Sequence, residues 1–288
     1  MKLALGTVQF GLNYGIANQS GQVSLPMVAQ IISLAREHHI DVIDTAAAYG
    51  DSEVTLGRVG VQGFRIVTKL SPLPETLNDV GVWARRQLTE SLERLRVQSI
   101  HGLLLHRASD LLGPQGRQLF RVLEDLRASG QVSKIGVSIY SPAELDHVLQ
   151  LGRIDLVQVP FNLIDRRLQT SGWLKRLKDG QVEIHVRSAF LQGLLLTPVD
   201  RIPAKFSPWS TIWQSWAGWQ ERTGCSALGA CLAFPHSCAE VDRIVVGVDS
   251  PDHLTQILGA LDAGVPRDWP DIACDDERLV HPSRWSEL

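Results

Sequence analysis

Short apolar runs alternate with helix-like segments along almost the whole chain. The runs are continuously apolar, as expected of parallel strands that are covered on both faces. There are eight of them, and in chain order they read LALGTVQF, DVIDTA, RIVTKL, SIHGLLLH, SKIGVSIY, IDLVQVPF, EIHVRSAF and RIVVGV. Eight strands, each followed by a helix-sized connection, within 288 residues predict an α/β fold, a (β/α)8 TIM barrel.

An open doubly wound sheet uses strands of the same character and is the main alternative fold. That fold carries a GxGxxG turn after its first strand, whereas LGTVQFGLNYG has its glycines at other spacings. No linker rich in Pro, Gly or Ser marks a second domain. We therefore expect one domain over residues 1–288, of which 263–288 form a C-terminal tail.

Capping signals predict where several of the intervening helices begin and end. Ser24 precedes a helical stripe of apolar residues and is a good N-cap. Gly130 follows another such stripe at a position that favours a left-handed backbone. In SPAE, Ser141 and Glu144 form a capping-box pattern, with Pro142 at the first helical position.

Composition argues against several classes of partner. The 28 basic and 31 acidic residues are mixed throughout and leave a net charge of −3, so no basic stripe indicates a nucleic-acid partner. No run approaches the roughly 20 apolar residues that a membrane span needs. Gly6 and Gly11 interrupt the N-terminal segment before a secretion signal develops. We expect a cytoplasmic protein and assign it no oligomeric state.

The cysteines give no sign of a metal centre or of a disulfide framework. They form no CxxC pair, and their spacing does not match that of metal ligands. We expect the four cysteines to be reduced thiols that bind no metal: Cys225, Cys231, Cys238 and Cys274.

Ionisable side chains stand at the ends of three consecutive apolar runs. Asp44 ends the second run, Lys69 the third and His106 the fourth, while Tyr49 lies in the loop after Asp44. Taken singly, each has an ordinary explanation as a capping, solvated or hydrogen-bonded side chain. In a barrel, the carboxyl ends of the strands meet at one mouth, where the chemistry of this fold takes place. We therefore expect the four residues to form one catalytic site.

These side-chain types suit proton donation to a carbonyl group during hydride transfer. A tyrosine hydroxyl is a weak acid at neutral pH, and we expect the ammonium group of Lys69 to lower the pKa of Tyr49. A carboxylate paired with that ammonium fixes its position and charge. A histidine beside them orients the carbonyl oxygen by hydrogen bonding.

The motif DTAAAYG around Asp44 and Tyr49 resembles the Asp-Thr-Ala-x-x-Tyr-Gly loop of the aldo-keto reductases. The likeness extends from LGTVQFG to VVGVDSP, over nearly the whole chain. It implies a (β/α)8 barrel that reduces a small-molecule carbonyl substrate with NADP(H) or NAD(H). It further implies Tyr49 as general acid, Lys69 and Asp44 as its tuning pair, and His106 as the residue that orients the carbonyl.

The resemblance also implies a dinucleotide bound across the barrel mouth. Ser138 and Gln158 match contacts to the nicotinamide amide, although Ile139 replaces a family asparagine. Arg187 takes the place of an aromatic residue that often stacks on the nicotinamide ring, and a guanidinium plane can also stack. The full set of implied contacts is Ser138, Gln158, Arg187, Ser188, Leu191, Gly193, Gly247, Asp249, Ser250, His253 and Gln256.

The adenosine end departs most from the family pattern. Where NADP-preferring relatives carry a lysine or arginine for the 2′-phosphate, this chain has Val248, Asp249 and Ser250. A carboxylate opposes a phosphate and accepts hydrogen bonds from ribose hydroxyls, as in an NAD site. His253 replaces a family arginine as well. The family resemblance favours NADP, and the local charge favours NAD.

Four tryptophans are spaced 4, 3 and 3 residues apart, so they share one face of a helix: Trp209, Trp213, Trp216 and Trp219. We expect this face to pack on the barrel, with a wall of the substrate pocket as the alternative. The segment after Gly264 is short for a substrate-gripping loop, which predicts an open pocket and broad specificity.

Two other functions are compatible with the same fold. One is a non-catalytic, regulatory subunit that keeps the cofactor as a sensor, which the substituted cofactor contacts favour mildly. The other is a lyase or aldolase with Lys69 as a Schiff base, in which Asp44 and Tyr49 would have no role.

Overall fold

Eight parallel strands close into a barrel in the order of the sequence in the computed structural model, which describes residues 1–16, 18, 21–261 and 264–288. The strands are β1 (Leu3–Gly6), β2 (Val42–Asp44), β3 (Arg65–Leu70), β4 (Ile100–Leu105), β5 (Val132–Ser138), β6 (Leu156–Pro160), β7 (Glu183–Arg187) and β8 (Arg243–Gly247). β1 pairs with both β2 and β8. This closure confirms the predicted barrel and rules out the open sheet.

Helices follow the strands and cover the barrel. They are α1 (Leu25–Glu37), α2 (Ser52–Val59), α3 (Val80–Leu95), α4 (Gly116–Ala128), α5 (Glu144–Leu151), α6 (Arg167–Thr170), α7 (Trp173–Asp179), α8 (Ser210–Thr223), α9 (Ala227–Ser237), α10 (Pro251–Leu261) and α11 (Glu277–Val280). Short 3-10 turns include Val8–Phe10, Ala108–Leu111, Leu191–Leu196, Val199–Arg201, Ala204–Trp209 and Pro282–Glu287. Within the described ranges, no helix is both long enough and apolar enough to cross a membrane.

The predicted helix ends hold at two sites and shift at a third. Ser24 is at the N-cap position of α1, although its side chain makes no capping hydrogen bond with the described residues, and Gly130, with a φ of +81°, lies just beyond the end of α4. Helix α5 begins at Glu144 rather than at Pro142. The Glu144 carboxylate nevertheless accepts the backbone N–H of Ser141, at 2.7 Å, so half of the predicted capping box is present.

One layer of small and branched side chains fills the barrel interior and thereby fixes what lies above it. This layer consists of Ala4, Val42, Val67, Leu104, Leu156 and the partly buried Val245. Because side chains alternate along a strand, the residue two positions further on faces the same way. That rule puts six residues into the next layer, at the carboxyl end of the barrel: Gly6, Asp44, Lys69, His106, Gln158 and Gly247.

The tryptophan face packs against the protein core, as expected. All four rings are buried. The indole N–H of Trp213 donates to the carbonyl of Phe206 at 2.9 Å, and that of Trp216 to the carbonyl of Leu195 at 3.1 Å. No member of this face lines the main cavity of the described part of the chain, so the alternative role as a pocket wall is wrong.

The C-terminal segment folds back onto the barrel and reaches its mouth. Trp285 is buried, and its main-chain carbonyl accepts a hydrogen bond from the Lys205 ammonium at 2.8 Å. The ring of His281 stacks on that of Tyr140, with 3.8 Å between centroids. Residue 263, where the tail was predicted to begin, lies outside the described residues.

Candidate active site

A cavity of about 560 Å³ opens at the carboxyl ends of the strands. Most of the predicted site residues line it: Asp44, Tyr49, His106, Ser138, Gln158, Arg187, Ser188, Gly193, Gly247, Asp249, His253 and Gln256. Three others are not among the lining residues. Lys69 is buried against Asp44, Leu191 is buried in the core, and the Ser250 hydroxyl accepts the His253 backbone N–H at 3.2 Å. The cofactor contacts of Leu191 and Ser250 stay predictions.

Lys69 and Asp44 form a buried ion pair at the floor of the cavity. The ammonium lies 2.8 and 2.9 Å from the two carboxylate oxygens and 3.0 Å from the carbonyl of Thr45. Both side chains are almost fully buried. Burial alone would lower the pKa of Lys69, but the Asp44 carboxylate raises it overall, so the ammonium stays charged at neutral pH.

Gln158 completes the surroundings of this pair. Its side-chain amide donates to the second carboxylate oxygen of Asp44 at 2.6 Å. A buried ion pair is stabilising only if its remaining lone pairs and protons are also satisfied. Gln158 therefore has a structural partner in addition to facing the cavity, and its predicted contact with a nicotinamide amide stays a prediction.

Tyr49 lies directly above the ion pair. The Lys69 ammonium is 5.1 Å from the centroid of its ring. The backbone of Gly11 runs so close to this loop that a Cβ there would overlap the carbonyl oxygen of Tyr49. Glycine at position 11 thus permits the close contact between the Tyr49 loop and the loop after β1.

The expected fall in the pKa of Tyr49 does not occur. Burial raises that pKa above its ordinary value of 10.0, and the Lys69 charge offsets this only in part. The reason is that removal of the hydroxyl from water strongly disfavours the phenolate. The Lys69 ammonium favours the phenolate, but less strongly, because its charge is already shared with Asp44. Tyr49 therefore carries its proton at neutral pH.

His106 faces Tyr49 across the cavity, with its ring edge-on and 5.7 Å between centroids. Its Nδ1 atom is buried and has no hydrogen-bond partner among the described residues. Burial, together with the nearby Lys69 charge, lowers the pKa of His106 to about 4. The imidazole is therefore neutral at pH 7, with one nitrogen that donates and one that accepts.

The depressed pKa of His106 predicts a pH-dependent stability. The unfolded chain binds a proton at this group below about pH 6.5, and the folded chain only near 4. The contribution of His106 to the free energy of unfolding is therefore fully present above pH 6.5. It is lost as the pH falls from 6.5 to 4, and the loss is about 3 kcal/mol at most. Denaturant unfolding at pH 7.5 and 4.5 should show a smaller loss in His106→Gln than in the wild type.

The control for this measurement is His147→Gln, because His147 is exposed on α5. That variant should keep the wild-type difference between the two pH values. An equal loss in all three proteins would mean that His106 takes up its proton freely in the folded state.

The loop after β7 has an unusual backbone. Leu191, Gln192 and Gly193 are consecutive left-handed residues, with φ of 48°, 53° and 93°, and Ser188 is a fourth at 61°. The N–H groups of Leu191 and Gly193 donate within the loop, to the carbonyls of Ser188 and Phe190, both at 2.9 Å. Ser188 and Gly193 line the cavity, so the loop borders the position implied for the dinucleotide.

Two buried acceptors without partners also fit a ligand rich in hydroxyl and amide groups. They are Oε1 of Gln9 and Oδ1 of Asp249, neither of which has a hydrogen-bond partner among the described residues. Burial raises the pKa of Asp249, and the nearest basic group, Nδ1 of His253, is 4.0 Å from its other oxygen. A donor such as a ribose hydroxyl would satisfy this carboxylate.

Arg187 ends β7, and its guanidinium plane lies 4.3 Å from the centroid of Tyr140. It donates to the carbonyl of Ile139 at 3.0 Å and to the Ser188 hydroxyl at 3.3 Å. Tyr140 stacks in turn on His281. The aromatic partner of Arg187 in this structure is thus a tyrosine of the protein, and its predicted contact with a nicotinamide stays a prediction.

Sequence reasoning missed several residues of this mouth, among them Gln9, Tyr14, Tyr140 and Gln192, and it also missed His281, which stacks on Tyr140. Tyr140 lies two residues beyond the end of β5, so the rule that polar residues after the strands face the barrel mouth also applies to it. Tyr14 is half-exposed, and its hydroxyl accepts the side-chain amide of Gln192 at 2.9 Å, which joins the loops after β1 and β7. That pair and the contact of His281 involve distant segments, and no local pattern indicates them.

Within the described ranges, no group of three His, Cys, Asp or Glu side chains comes together in a way that could hold a metal ion. The arrangement offers instead a protonated phenol above a buried ammonium, with a neutral imidazole opposite. These groups can deliver a proton to an oxygen and orient that oxygen by hydrogen bonds.

Comparison with known proteins agrees with this geometry. The sequence matches the model of the Aldo/keto reductase family over residues 2–268. The NADH-specific methylglyoxal reductase of Escherichia coli (strain K12) is 22% identical over an alignment of 302 positions. The alignment covers 90% of this chain and 89% of that relative. The 6-dehydroglucose reductase of Novosphingobium aromaticivorans is 31% identical over 139 residues, or 42% of this chain and 45% of that protein.

Solved structures show the same fold. The holo form of the aldo-keto reductase AKR11C1 from Bacillus halodurans superposes with a TM-score of 0.73 and 18% identity, and the match covers 92% of this chain and 88% of that one. The glycerol dehydrogenase AKR11B4 from Gluconobacter oxydans superposes with a TM-score of 0.70 and 22% identity, and the match covers 99% of this chain and 90% of that one.

Proposed function

The chain belongs to the aldo/keto reductase family, and we propose that it reduces a small aldehyde or ketone to the alcohol, with Tyr49 as the general acid. The observation that carries this proposal is the buried Lys69–Asp44 pair directly beneath the ring of Tyr49. A protonated phenol beside a permanent charge is suited to release its proton only when an alkoxide forms next to it.

Each residue of the site has a defined part in this reaction. The Tyr49 hydroxyl donates its proton to the carbonyl oxygen as negative charge develops there. The Lys69 ammonium stabilises the resulting phenolate, and Asp44 holds the ammonium in place. The neutral His106 orients the carbonyl oxygen by hydrogen bonding, and its depressed pKa keeps it from acting as an acid at neutral pH.

A reduced nicotinamide dinucleotide would supply the hydride. The residues that fit such a group are Ser188 and Gly193, in the left-handed loop after β7, with Gln9 and Asp249 as buried acceptors. Gly247 lies beneath the side-chain amide of Gln9. A Cβ atom at position 247 would come within 2.5 Å of that amide.

The state of Lys69 weighs against the Schiff-base alternative. An amine attacks a carbonyl only when it is unprotonated, whereas the pKa of Lys69 is raised and its ammonium makes three hydrogen bonds. A regulatory subunit would bind the cofactor without turnover. Loss of reduced-nicotinamide absorbance with a panel of short aldehydes supports the reductase, and cofactor binding without turnover by any of them supports the subunit.

We further propose that the chain prefers NADH to NADPH. Among the described residues that line the cavity, Arg187 is the only lysine or arginine, and it lies at the end of β7, where the predicted contact is with the nicotinamide. The carboxylate of Asp249, at the other predicted end, would repel a 2′-phosphate. One relative is named as an NADH-specific methylglyoxal reductase, which agrees with this preference.

Asp249→Arg should shift the preference towards NADPH by about 1–3 kcal/mol, because a repulsion is replaced by a charge-assisted hydrogen bond. Dissociation constants for NADH and NADPH, measured by fluorescence titration on both proteins, test this. Asp252→Arg makes the same charge change at an exposed position on α10 and should leave the preference as it is. A strong wild-type preference for NADPH that persists in Asp249→Arg would contradict the assignment.

A further inference from the structure

A second cavity, of about 450 Å³, lies at the amino-terminal end of the barrel, at the opposite end from the active site. Its walls come from the end of α1 and from residues that precede or begin β1, β2, β3 and β8. The polar side chains among them are Arg36, His39, Asp41 and Arg243. The proposed reduction uses none of them, because its groups stand at the carboxyl ends of the strands.

Arg243, the first residue of β8, is largely removed from water, with its side chain 17% exposed. Its Nε atom is buried and has no hydrogen-bond partner among the described residues. One terminal nitrogen donates to the main-chain carbonyl of Asp242 at 2.8 Å. The other lies 3.5 Å from Oδ1 of Asp41, which is longer than an ordinary hydrogen bond. An acceptor that enters the cavity would satisfy a guanidinium group that has lost water without full replacement.

Arg36 brings a second guanidinium group to the same cavity, and no carboxylate of the described residues forms an ion pair with it. One of its nitrogens donates to the main-chain carbonyls of Gly60 and Gln62, at 2.8 and 3.3 Å. The group also lies 5.1 Å from the centroid of the Phe64 ring. These contacts orient the planar fork and leave its other donors to a ligand.

Asp41 is the one carboxylate among the described residues that line this cavity, and its charge is already shared. Its Oδ2 atom is paired with Arg65, while its Oδ1 atom faces Arg243. Three guanidinium groups, those of Arg36, Arg65 and Arg243, thus lie at or beside the cavity with a single carboxylate. Three positive charges against one negative charge leave an excess of two positive charges.

We propose that this cavity binds the phosphate group of a small molecule, at a site separate from that of the reduction. A phosphate monoester carries about 1.5 to 2 negative charges at neutral pH, which matches the excess. Its oxygens accept paired N–H groups from an arginine fork. A carboxylate has only one charge and would leave half of the excess uncompensated. The volume falls in the range of small-molecule sites, about 300–1,000 Å³, so a short carbon chain fits beside the phosphate.

Isothermal titration calorimetry with inorganic phosphate and with glycerol 3-phosphate tests this site, with excess NADH present to fill the active-site cavity. Both probes should bind to the wild-type protein. Arg36→Gln and Arg243→Gln should each weaken binding by about 10–100-fold, the scale of a charge-assisted hydrogen bond. Tighter binding of glycerol 3-phosphate identifies a phosphorylated molecule as the ligand, and equal binding identifies the free ion.

Three further variants separate recognition from folding. Arg121→Gln removes an exposed arginine from α4 and should bind phosphate as the wild type does. Arg36→Lys keeps the charge without the planar fork and should give an intermediate affinity. Asp41→Asn removes the competing negative charge and should strengthen binding. A gain in affinity of this kind cannot come from a damaged fold.

Two results would overturn the proposal. One is undetectable binding of both probes to the wild-type protein at about 10 mM, and the other is unchanged binding in both Arg36→Gln and Arg243→Gln. Binding of succinate as tight as that of inorganic phosphate would overturn the assignment to phosphate. None of these measurements depends on aldehyde turnover, so the site stands or falls separately from the reductase function.

Discussion

Tyr49→Phe is expected to lower the turnover number by about 10²–10⁴-fold and to leave cofactor binding nearly unchanged. The hydroxyl acts only on the oxygen that becomes an alkoxide, so its loss falls on the chemical step. The ring itself stays, and with it the contact with Lys69 and the edge-on contact with His106. Steady-state kinetics with a short aldehyde, together with a cofactor titration, measure both effects.

Tyr14→Phe is the matched control, since it removes a second tyrosine hydroxyl from the same cavity. That hydroxyl accepts a hydrogen bond from Gln192 at the rim and is not in contact with the buried ion pair. We expect a much smaller loss of turnover than in Tyr49→Phe. If Tyr49→Phe kept more than half of the wild-type turnover, another group would have to be the acid.

Lys69→Met should be about as damaging to turnover as Tyr49→Phe, because nothing else among the described residues stabilises the Tyr49 phenolate as directly. It also leaves Asp44 buried, with Gln158 as its remaining side-chain donor. Loss of one partner of a buried ion pair costs about 3–5 kcal/mol of unfolding free energy. Turnover and denaturant unfolding should therefore fall together.

A double variant separates chemistry from folding. Lys69→Met combined with Asp44→Asn removes both charges, so it should recover much of the lost stability and still show the low turnover. Asp44→Asn alone should lower turnover less, because the ammonium keeps its charge and loses only its anchor. In pH–rate profiles, the apparent pKa of the acid should rise in Lys69→Met. An unchanged profile would show that Lys69 does not tune Tyr49.

The barrel and the Asp44, Lys69 and His106 positions could be predicted because they depend on local pattern. A strand has a period of two, and the barrel fold gathers strand ends at one mouth, so an ionisable residue after an apolar run has a predictable place. The start of α5 was two residues off because the Glu144 side chain caps a turn before the helix proper begins.

The remaining features depend on contacts between distant segments. The stack of Arg187, Tyr140 and His281 joins β7, the loop after β5 and the C-terminal segment. No spacing in the sequence indicates it. The direction of the pKa shift of Tyr49 also depends on the three-dimensional surroundings. Burial raises the pKa more than the Lys69 charge, which Asp44 already shares, lowers it. The implied contacts of Leu191 and Ser250 stay predictions because both lie outside the cavity lining.

Gly11 has a consequence for how tolerance to mutation is interpreted in this protein. It has no reactive atom, yet any side chain there would push against the main chain of the loop that carries Tyr49. A deep mutational scan scored by turnover would group Gly11 with the reacting residues, although it only leaves room for one of them. Evolutionary change in the loop after β1 is thus coupled to the loop after β2, which carries Tyr49. Laboratory libraries that diversify residues 7–14 should therefore hold position 11 constant.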